Sequence, residues 1–205
     1  MKIAGILTIG NEILQGFTLD TNAKKISEEL NSRNIKTTIH LTVPDDIEKI
    51  KEKIEKFVIK HYDYIFITGG LGPTHDDVTR QSLSELFKSK LVFLEDRHLL
   101  ISKKFKKVDL PKCQSEIIDI SKPLENKVGT AIGMHFKYKK SEIIIMPGVP
   151  IEMESMLSTY LNDIKKINIE KNNVVTINTS GIYETKLYEK VKEFIFKNDK
   201  HIYFS

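Results

Sequence analysis

Between Lys2 and Lys88 the chain switches its hydrophobic period repeatedly, each time after a short connection, and that alternation leaves few folds open. Lys2 to Ile9 is an apolar run that reads as a buried strand. Asp20-Thr21-Asn22 then precedes a helix with Ala23, Ile26 and Leu30 on one face, ending near Asn34. Ile35 to Val43 alternates and is β-branched, which predicts a second strand. Pro44-Asp45-Asp46 opens a second helix with the stripe Ile47, Ile50, Ile54, Phe57 and Val58. Tyr64 to Ile67 is the third strand and Asp77 to Lys88 the third helix. Such a pattern predicts an α/β fold: parallel strands, right-handed crossovers, helices on both faces. Ligands of such sheets collect at the carboxyl ends of the strands, beside a switch in strand order. The loops there are 10–16, 43–46 and 69–77.

The third of these loops is the most unusual. Gly69-Gly70-Leu71-Gly72-Pro73-Thr74 follows a strand and leads to a helix, and glycine allows positive φ and close approach of backbone to a ligand. A helix N-terminus with free N–H groups favours a phosphate. Asp76 and Asp77 in the same turn would repel a bare phosphate, a conflict that a divalent cation resolves. The plain alternative is a tight turn in which Thr74 caps the helix, with Asp77 in the capping-box role. The stretch is neither a P-loop nor Gly-x-Gly-x-x-Gly.

The second half is less regular. Leu91 to Leu94 suggests a short strand, His98 to Lys107 a helix, and Asp109 to Lys122 has no clear period. Val128 to Met134 reads as a small-residue turn entering a strand. Glu142 to Met146 is a strongly apolar strand, followed by Pro147-Gly148-Val149-Pro150 and a helix to about Leu161. Asn162 to Asn173 reads as a linker. Val174 to Asn178 as strand, Glu184 to Phe196 as helix and Ile202 to Phe204 as the start of a strand complete a small α+β appendage. About thirty residues cannot bury much core alone. The division expected is 1–165 for the main domain and 166–205 for the appendage.

Composition narrows the partners. With 40% hydrophobic and 29% charged residues among 205, the chain has the material for a soluble core. The net charge of +4 comes from lysines dispersed among glutamates, with Arg33, Arg80 and Arg97 the arginines, so no nucleic-acid partner is expected. Cys113 is the single cysteine, which excludes an intrachain disulfide and a Cys-rich metal site. Neither a signal-peptide pattern nor a run of ~20 apolar residues is present, so no membrane partner is expected and the location expected is cytoplasmic. His40, His61, His98, His135 and His201 have no partners at ligand spacing; His75 lies beside Asp76.

Four blocks make the chain resemble the MoaB/Mog-like domain of the CinA (competence/damage-inducible protein A) family. They are Gly10-Asn11-Glu12-Ile13-Leu14-Gln15-Gly16 with Asp20-Thr21-Asn22; Thr68 to Thr74 with Asp76-Asp77-Val78-Thr79-Arg80; Gly129-Thr130-Ala131; and Met146 to Pro150 with Glu152-Met153. Ser180 to Glu184 is similar to a downstream motif of the family, with Tyr183 where glycine is usual. Pro111 to Ser115 keeps only Gln114 of an Asn-x-x-Gln-Ala segment, and Ile132 replaces a proline. The resemblance implies a three-layer α/β/α domain with a mostly parallel sheet, molybdopterin-binding relatives, and frequent homo-oligomers. It also implies hydrolysis of ADP-ribose-like pyrophosphates with a divalent metal. The amidase of longer members, which acts on nicotinamide mononucleotide, is not expected in a chain ending at Ser205.

On this basis Asp45, Asp76 and Asp77 are the expected catalytic carboxylates. Asp77 sits where related molybdopterin proteins keep a functional aspartate. Asp77 and Asp45, with Glu12, are the candidates to hold Mg²⁺, Mn²⁺ or Co²⁺, since oxygen ligands suit hard cations. Gly69, Gly70, Gly72 and Thr74 offer donors to phosphate. Asn11, Asp20 and Asn22 would address a ribose or base edge, though Asp20 reads rather more readily as a helix N-cap. The matched blocks add Gly129, Thr130, Pro147 and Gly148 to the substrate-binding set. Three functions fit: a metal-dependent nucleotide pyrophosphatase, a protein that binds a nucleotide or a molybdopterin-like pterin phosphate without hydrolysis, or an interaction module.

Overall fold

The computed structural model describes residues 1–106, 109–162, 164 and 179–198. The chain divides into two compact units, Met1–Ile169 and Glu170–Ser205. The boundary expected after residue 165, most of the linker and the two C-terminal strands lie outside the described residues. In the second unit the described element is helix α7, Glu184–Asn198, close to the helix that its periodicity predicts.

The first unit carries the alternation expected. Strands β1 (Lys2–Ile9), β2 (Ile35–Val43) and β3 (Tyr64–Thr68) are separated by α2 (Thr21–Asn31) and α3 (Ile47–Ile59). Helix α4 (Thr79–Phe87) follows, then β4 (Leu91–Phe93), α5 (Glu95–Phe105), β5 (Glu116–Ile118), β6 (Lys122–Leu124), β7 (Gly133–Tyr138), β8 (Ser141–Met146) and α6 (Pro150–Leu161). A four-residue helix α1, Asn11–Leu14, fills the loop after β1. The main sheet runs β2-β1-β3-β8-β7-β6, and β4 pairs with β5 separately. Strands β2, β1, β3 and β8 are parallel, while β7 and β6 add an antiparallel hairpin. The fold is α/β with a mostly parallel sheet.

Period-two alternation divides the core into two layers. Leu7, Ile65, Ile67, Ile143 and Ile145 face one way, against Ile50, Ile54, Phe57 and Leu83 of α3 and α4. Ile6, Phe66, Ile144 and Met146 face the other way, against Ile26 and Leu30 of α2 and Met153, Met156 and Leu157 of α6. Helices therefore cover both faces, which is why these strands read as continuous apolar runs.

The differences from the reading above include two helix starts and an unpredicted edge strand. Helix α4 starts at Thr79 rather than Asp77, with no side-chain cap, because Asp77 is engaged in the preceding loop. Helix α5 starts at Glu95, three residues before His98. Strand β6, which contains Pro123, is not predicted at all; it is an edge strand, where a missing N–H is tolerated. Among the described residues no helix is long and apolar enough to cross a membrane.

Candidate functional site

The chain passes from β1 to β2 on one side, then crosses back over β1 to β3 on the other, so the strand order switches between β1 and β3. Register brings the carboxyl ends level: Thr8 pairs with both Thr42 and Thr68, and Thr68 with Met146. The loops after β2, β1, β3 and β8 thus rise side by side from one edge. Gly10 N–H donates to the Val43 carbonyl (3.1 Å) and Gly69 N–H to the Met146 carbonyl (3.1 Å), tying neighbouring loops at their roots.

The glycine-rich loop is held from behind by the first residues of α4. Thr79 Oγ1 donates to the Gly69 carbonyl (2.9 Å) and Thr79 N–H to the Gly70 carbonyl (3.3 Å). Arg80 Nη2 donates to the Leu71 carbonyl (2.6 Å) and Nη1 to the Gly72 carbonyl (3.4 Å). Four consecutive carbonyls are therefore turned toward α4. In a trans peptide the N–H points opposite to the C=O, so the N–H groups of Gly70 and Leu71 face away from Thr79. Among the described residues neither meets an acceptor. Gly69 and Gly70 both have positive φ, 106° and 66°. Successive donors on such a turn form an anion-binding concavity.

The glycines make this loop possible by sparing the protein's own atoms. A Cβ on Gly69 would strike the Ile9 carbonyl, one on Gly70 the Thr79 hydroxyl, and one on Gly72 the Asp77 carboxylate. Close approach of a ligand is not what demands them.

Asp77 is the loop's fastener. Its Oδ1 accepts from Gly72 N–H (2.7 Å), and its Oδ2 from Thr74 N–H (2.9 Å) and the Thr74 hydroxyl (2.6 Å). The same hydroxyl lies in a short contact with Asp76 Oδ1, and this bond holds the exposed Asp76 below its ordinary pKa. Thr74 is thus no helix cap: its hydroxyl faces the two aspartates, and α4 begins five residues later.

Asp45 and Glu12 approach from the neighbouring loops. Asp45 Oδ2 accepts from Asn11 N–H (2.9 Å). Burial raises the Asp45 pKa; the Asn11 bond opposes the rise, and the charges of Glu12, Asp76 and Asp77 add to it. The four carboxylates therefore share one electrostatic neighbourhood. They do not form a ready-made metal centre: among the described residues no three Asp, Glu, His or Cys side chains converge to hold an ion. Both Asp77 oxygens are already used by the loop. The donor chemistry suits a hard cation, but the arrangement as it stands does not fit one.

The remaining residues serve the frame. Asp20 caps α2, accepting from Ala23 N–H (2.9 Å), and lies 2.7 Å from His40 Nε2. Burial works against its charge, but His40, Ala23 and Thr8 outweigh that and lower its pKa. Asn22 is 6% exposed and donates from Nδ2 to Thr68 Oγ1 (2.9 Å) and the Gly148 carbonyl (2.8 Å), while Thr68 Oγ1 donates to the Pro147 carbonyl (2.9 Å). The Pro147 and Gly148 carbonyls are thus turned inward. Gly129 is held by Asn126, whose Oδ1 accepts from its N–H (2.8 Å), and a Cβ there would meet the Glu152 carboxylate. Gly129 and Thr130 stand at the same sheet edge, yet no hydrogen bond among the described residues joins them to 69–77. Sequence reasoning missed Thr79 and Arg80, although both lie in a matched block, because their task is to hold carbonyls that spacing does not reveal.

A family profile described as "Probable molybdopterin binding domain" matches residues 5–166. A CinA-like protein of Thermosipho melanesiensis is 40% identical over 202 residues, which cover 96% of this chain and 50% of that protein. Protein TV0584 of Thermoplasma volcanium is 34% identical over 188 residues, covering 90% of this chain and 73% of that one. The crystal structure of the protein CinA, of unknown function, from Thermoplasma acidophilum superposes with a TM-score of 0.73 at 35% identity. It covers 80% of this chain and 98% of its own. The chain belongs to the CinA family. Within it, residues 5–166 form the molybdopterin-binding type of domain. The tungsten cofactor synthesizing protein MoaB from Pyrococcus furiosus has the same fold, with a TM-score of 0.54 at 18% identity, covering 80% of this chain and 92% of its own. The chain spans about half the length of the CinA-like protein it matches in Thermosipho.

Proposed function

We propose that the sheet edge formed by the loops after β1 and β3 binds the phosphate of a small ring-bearing ligand, a molybdopterin-type pterin or a nucleotide. The observation that carries this reading is the pair of unpartnered N–H groups, Gly70 and Leu71, fixed at the switch point of the sheet. The family description, with its molybdopterin-binding character, favours the pterin. The bound phosphate would lie against the Gly69–Leu71 turn. On this reading Asn11 and Glu12 would flank it on the β1 side and Thr74 and Asp76 on the other. Isothermal titration with 6-hydroxymethylpterin phosphate and with AMP, each beside its unphosphorylated parent, tests the reading. A preference for a phosphorylated form supports it, and equal affinity for both forms in both pairs removes it.

Hydrolysis of an ADP-ribose-like pyrophosphate is the second reading, favoured by the electrostatic influence of Glu12, Asp76 and Asp77 on Asp45. Asp45, held above its ordinary pKa by burial and by its acidic neighbours, suits a proton acceptor for an attacking water. Release of AMP from ADP-ribose, assayed with Mg²⁺, Mn²⁺ and Co²⁺ in turn, distinguishes hydrolysis from binding alone. Self-association, which the resemblance implies, would have exposed Phe17 and Leu19 after β1, Val149 after β8 and Ile151 in the first turn of α6 to use. Sedimentation velocity reads it.

A further inference from the structure

Arg80 is 4% exposed, yet no carboxylate among the described residues comes within ion-pair distance of it. Its Nη atoms hold the Leu71 and Gly72 carbonyls, and its buried Nε has no partner. The groups that bear on its charge are Asp77 of the loop itself and, from outside it, the Cys113 thiol and Glu116, all beyond ion-pair distance. A buried cation without a counter-ion is costly, and proteins retain one only where something offsets it. Two carbonyl contacts satisfy its donors in part, and the carboxylates of Asp77 and Glu116 offset its charge only from beyond ion-pair distance.

The position of this charge gives it a use. The Leu71–Gly72 peptide turns its negative end to Arg80, and Thr79 does the same for the two peptides before it. The positive ends of the Gly70 and Leu71 N–H groups lie on the far side. A fixed charge behind aligned dipoles reinforces the field that they present.

We propose that Arg80 is the buried countercharge for the ligand's phosphate, a positioning residue that makes this site prefer phosphorylated over unphosphorylated ligands through the 69–72 peptides. This rests on the phosphate-binding reading given above. Arg80 does not touch the ligand. It fixes the Leu71 and Gly72 carbonyls and places its positive charge behind the loop that carries the Gly70 and Leu71 donors.

The test uses the full chain and the same two probe pairs, AMP with adenosine and 6-hydroxymethylpterin phosphate with its parent alcohol. Titrations at constant ionic strength compare the unmodified protein with Arg80→Gln, which keeps a donor without charge, and Arg80→Lys, which keeps the charge. The expected result is that Arg80→Gln reduces the phosphate preference about tenfold or more, the order of one charge–charge interaction in protein surroundings. Affinity for the parent compounds is unchanged, and Arg80→Lys retains most of the preference. A folded Arg80→Gln protein with the original preference overturns the proposal. So does one that loses phosphorylated and parent ligands alike while amide exchange across 69–77 accelerates, because that is a clamp and nothing more. If Arg80→Gln does not fold, a folded Arg80→Lys protein lacking the preference overturns it equally. An unmodified protein with no phosphate preference removes the site reading, and Arg80's role with it.

Discussion

Replacing Asp77 by asparagine is the smallest change that asks what this residue does. As aspartate it accepts from Gly72 N–H (2.7 Å) and Thr74 N–H (2.9 Å), and it shares the one hydrogen of the Thr74 hydroxyl with Asp76. An amide presents one oxygen and one NH₂ in the same space. Turned either way, the NH₂ faces a backbone N–H; the less costly choice places it toward Thr74, whose hydroxyl can rotate to accept. At least one charge-assisted bond is then lost, and each is worth roughly 1.5–3 kcal/mol. Water reaches Thr74 and recovers part of this, so the expected loss is about 1–3 kcal/mol. For a unit of this size that lowers the melting temperature by roughly 3–10 °C. Thermal unfolding followed by circular dichroism measures it, and hydrogen exchange localises it to residues 70–77. An unchanged melt with unchanged exchange would refute the fastening role. The consequence for function is direct: lost binding or turnover in Asp77→Asn reports a loosened loop as well as a lost carboxylate. Asp76→Asn, at an exposed position with a single side-chain bond, should leave the melt where it is and so isolates the chemistry.

Further outcomes follow from the same geometry. Gly70→Ala forces a side chain into a position with φ of 66° and against the Thr79 hydroxyl, so it should cost about 2 kcal/mol or more in denaturant titration, with ligand affinity falling alongside. Asn22→Ala leaves the Gly148 carbonyl and the buried Thr68 hydroxyl without their shared donor and should cost about 1–3 kcal/mol by the same measurement. Asp45 has a folded-state pKa above its unfolded value, so in the folded protein it binds its proton more tightly. Its ionised form is therefore a burden at neutral pH that is relieved as pH falls through the raised folded pKa. Asp45→Asn should accordingly raise the melting temperature at pH 7.5, with the gain vanishing on acidification; a lower melting temperature at neutral pH contradicts the assignment.

The sequence was most legible where burial is two-sided. Tyr64 to Ile67 and Ile143 to Ile145 are apolar without interruption because both faces of β3 and β8 are covered, and their bounds come within a residue or two of the structure. Strand β2 lies at the sheet edge, and its alternation shows that. The convergence of three loops on one edge also followed from topology alone. Residues whose partners lie far along the chain were not legible. Nothing near His40 suggests Asp20, and nothing near Asn22 suggests Gly148, because those pairs exist only once β1, β2 and β8 are in register. The glycine triplet was recognisable as special, but its purpose was not. Spacing cannot say that the space beside Gly69 and Gly70 is filled by Ile9 and Thr79.

The central claim is that the backbone amides of Gly70 and Leu71 receive a phosphate. Amide resonances of the isotopically labelled protein, followed by NMR as 6-hydroxymethylpterin phosphate or AMP is added, test it most directly. The account predicts that at least one of these ligands produces its largest downfield shifts at Gly70 and Leu71. Saturable binding that leaves those two amides unmoved, with shifts elsewhere, would contradict it.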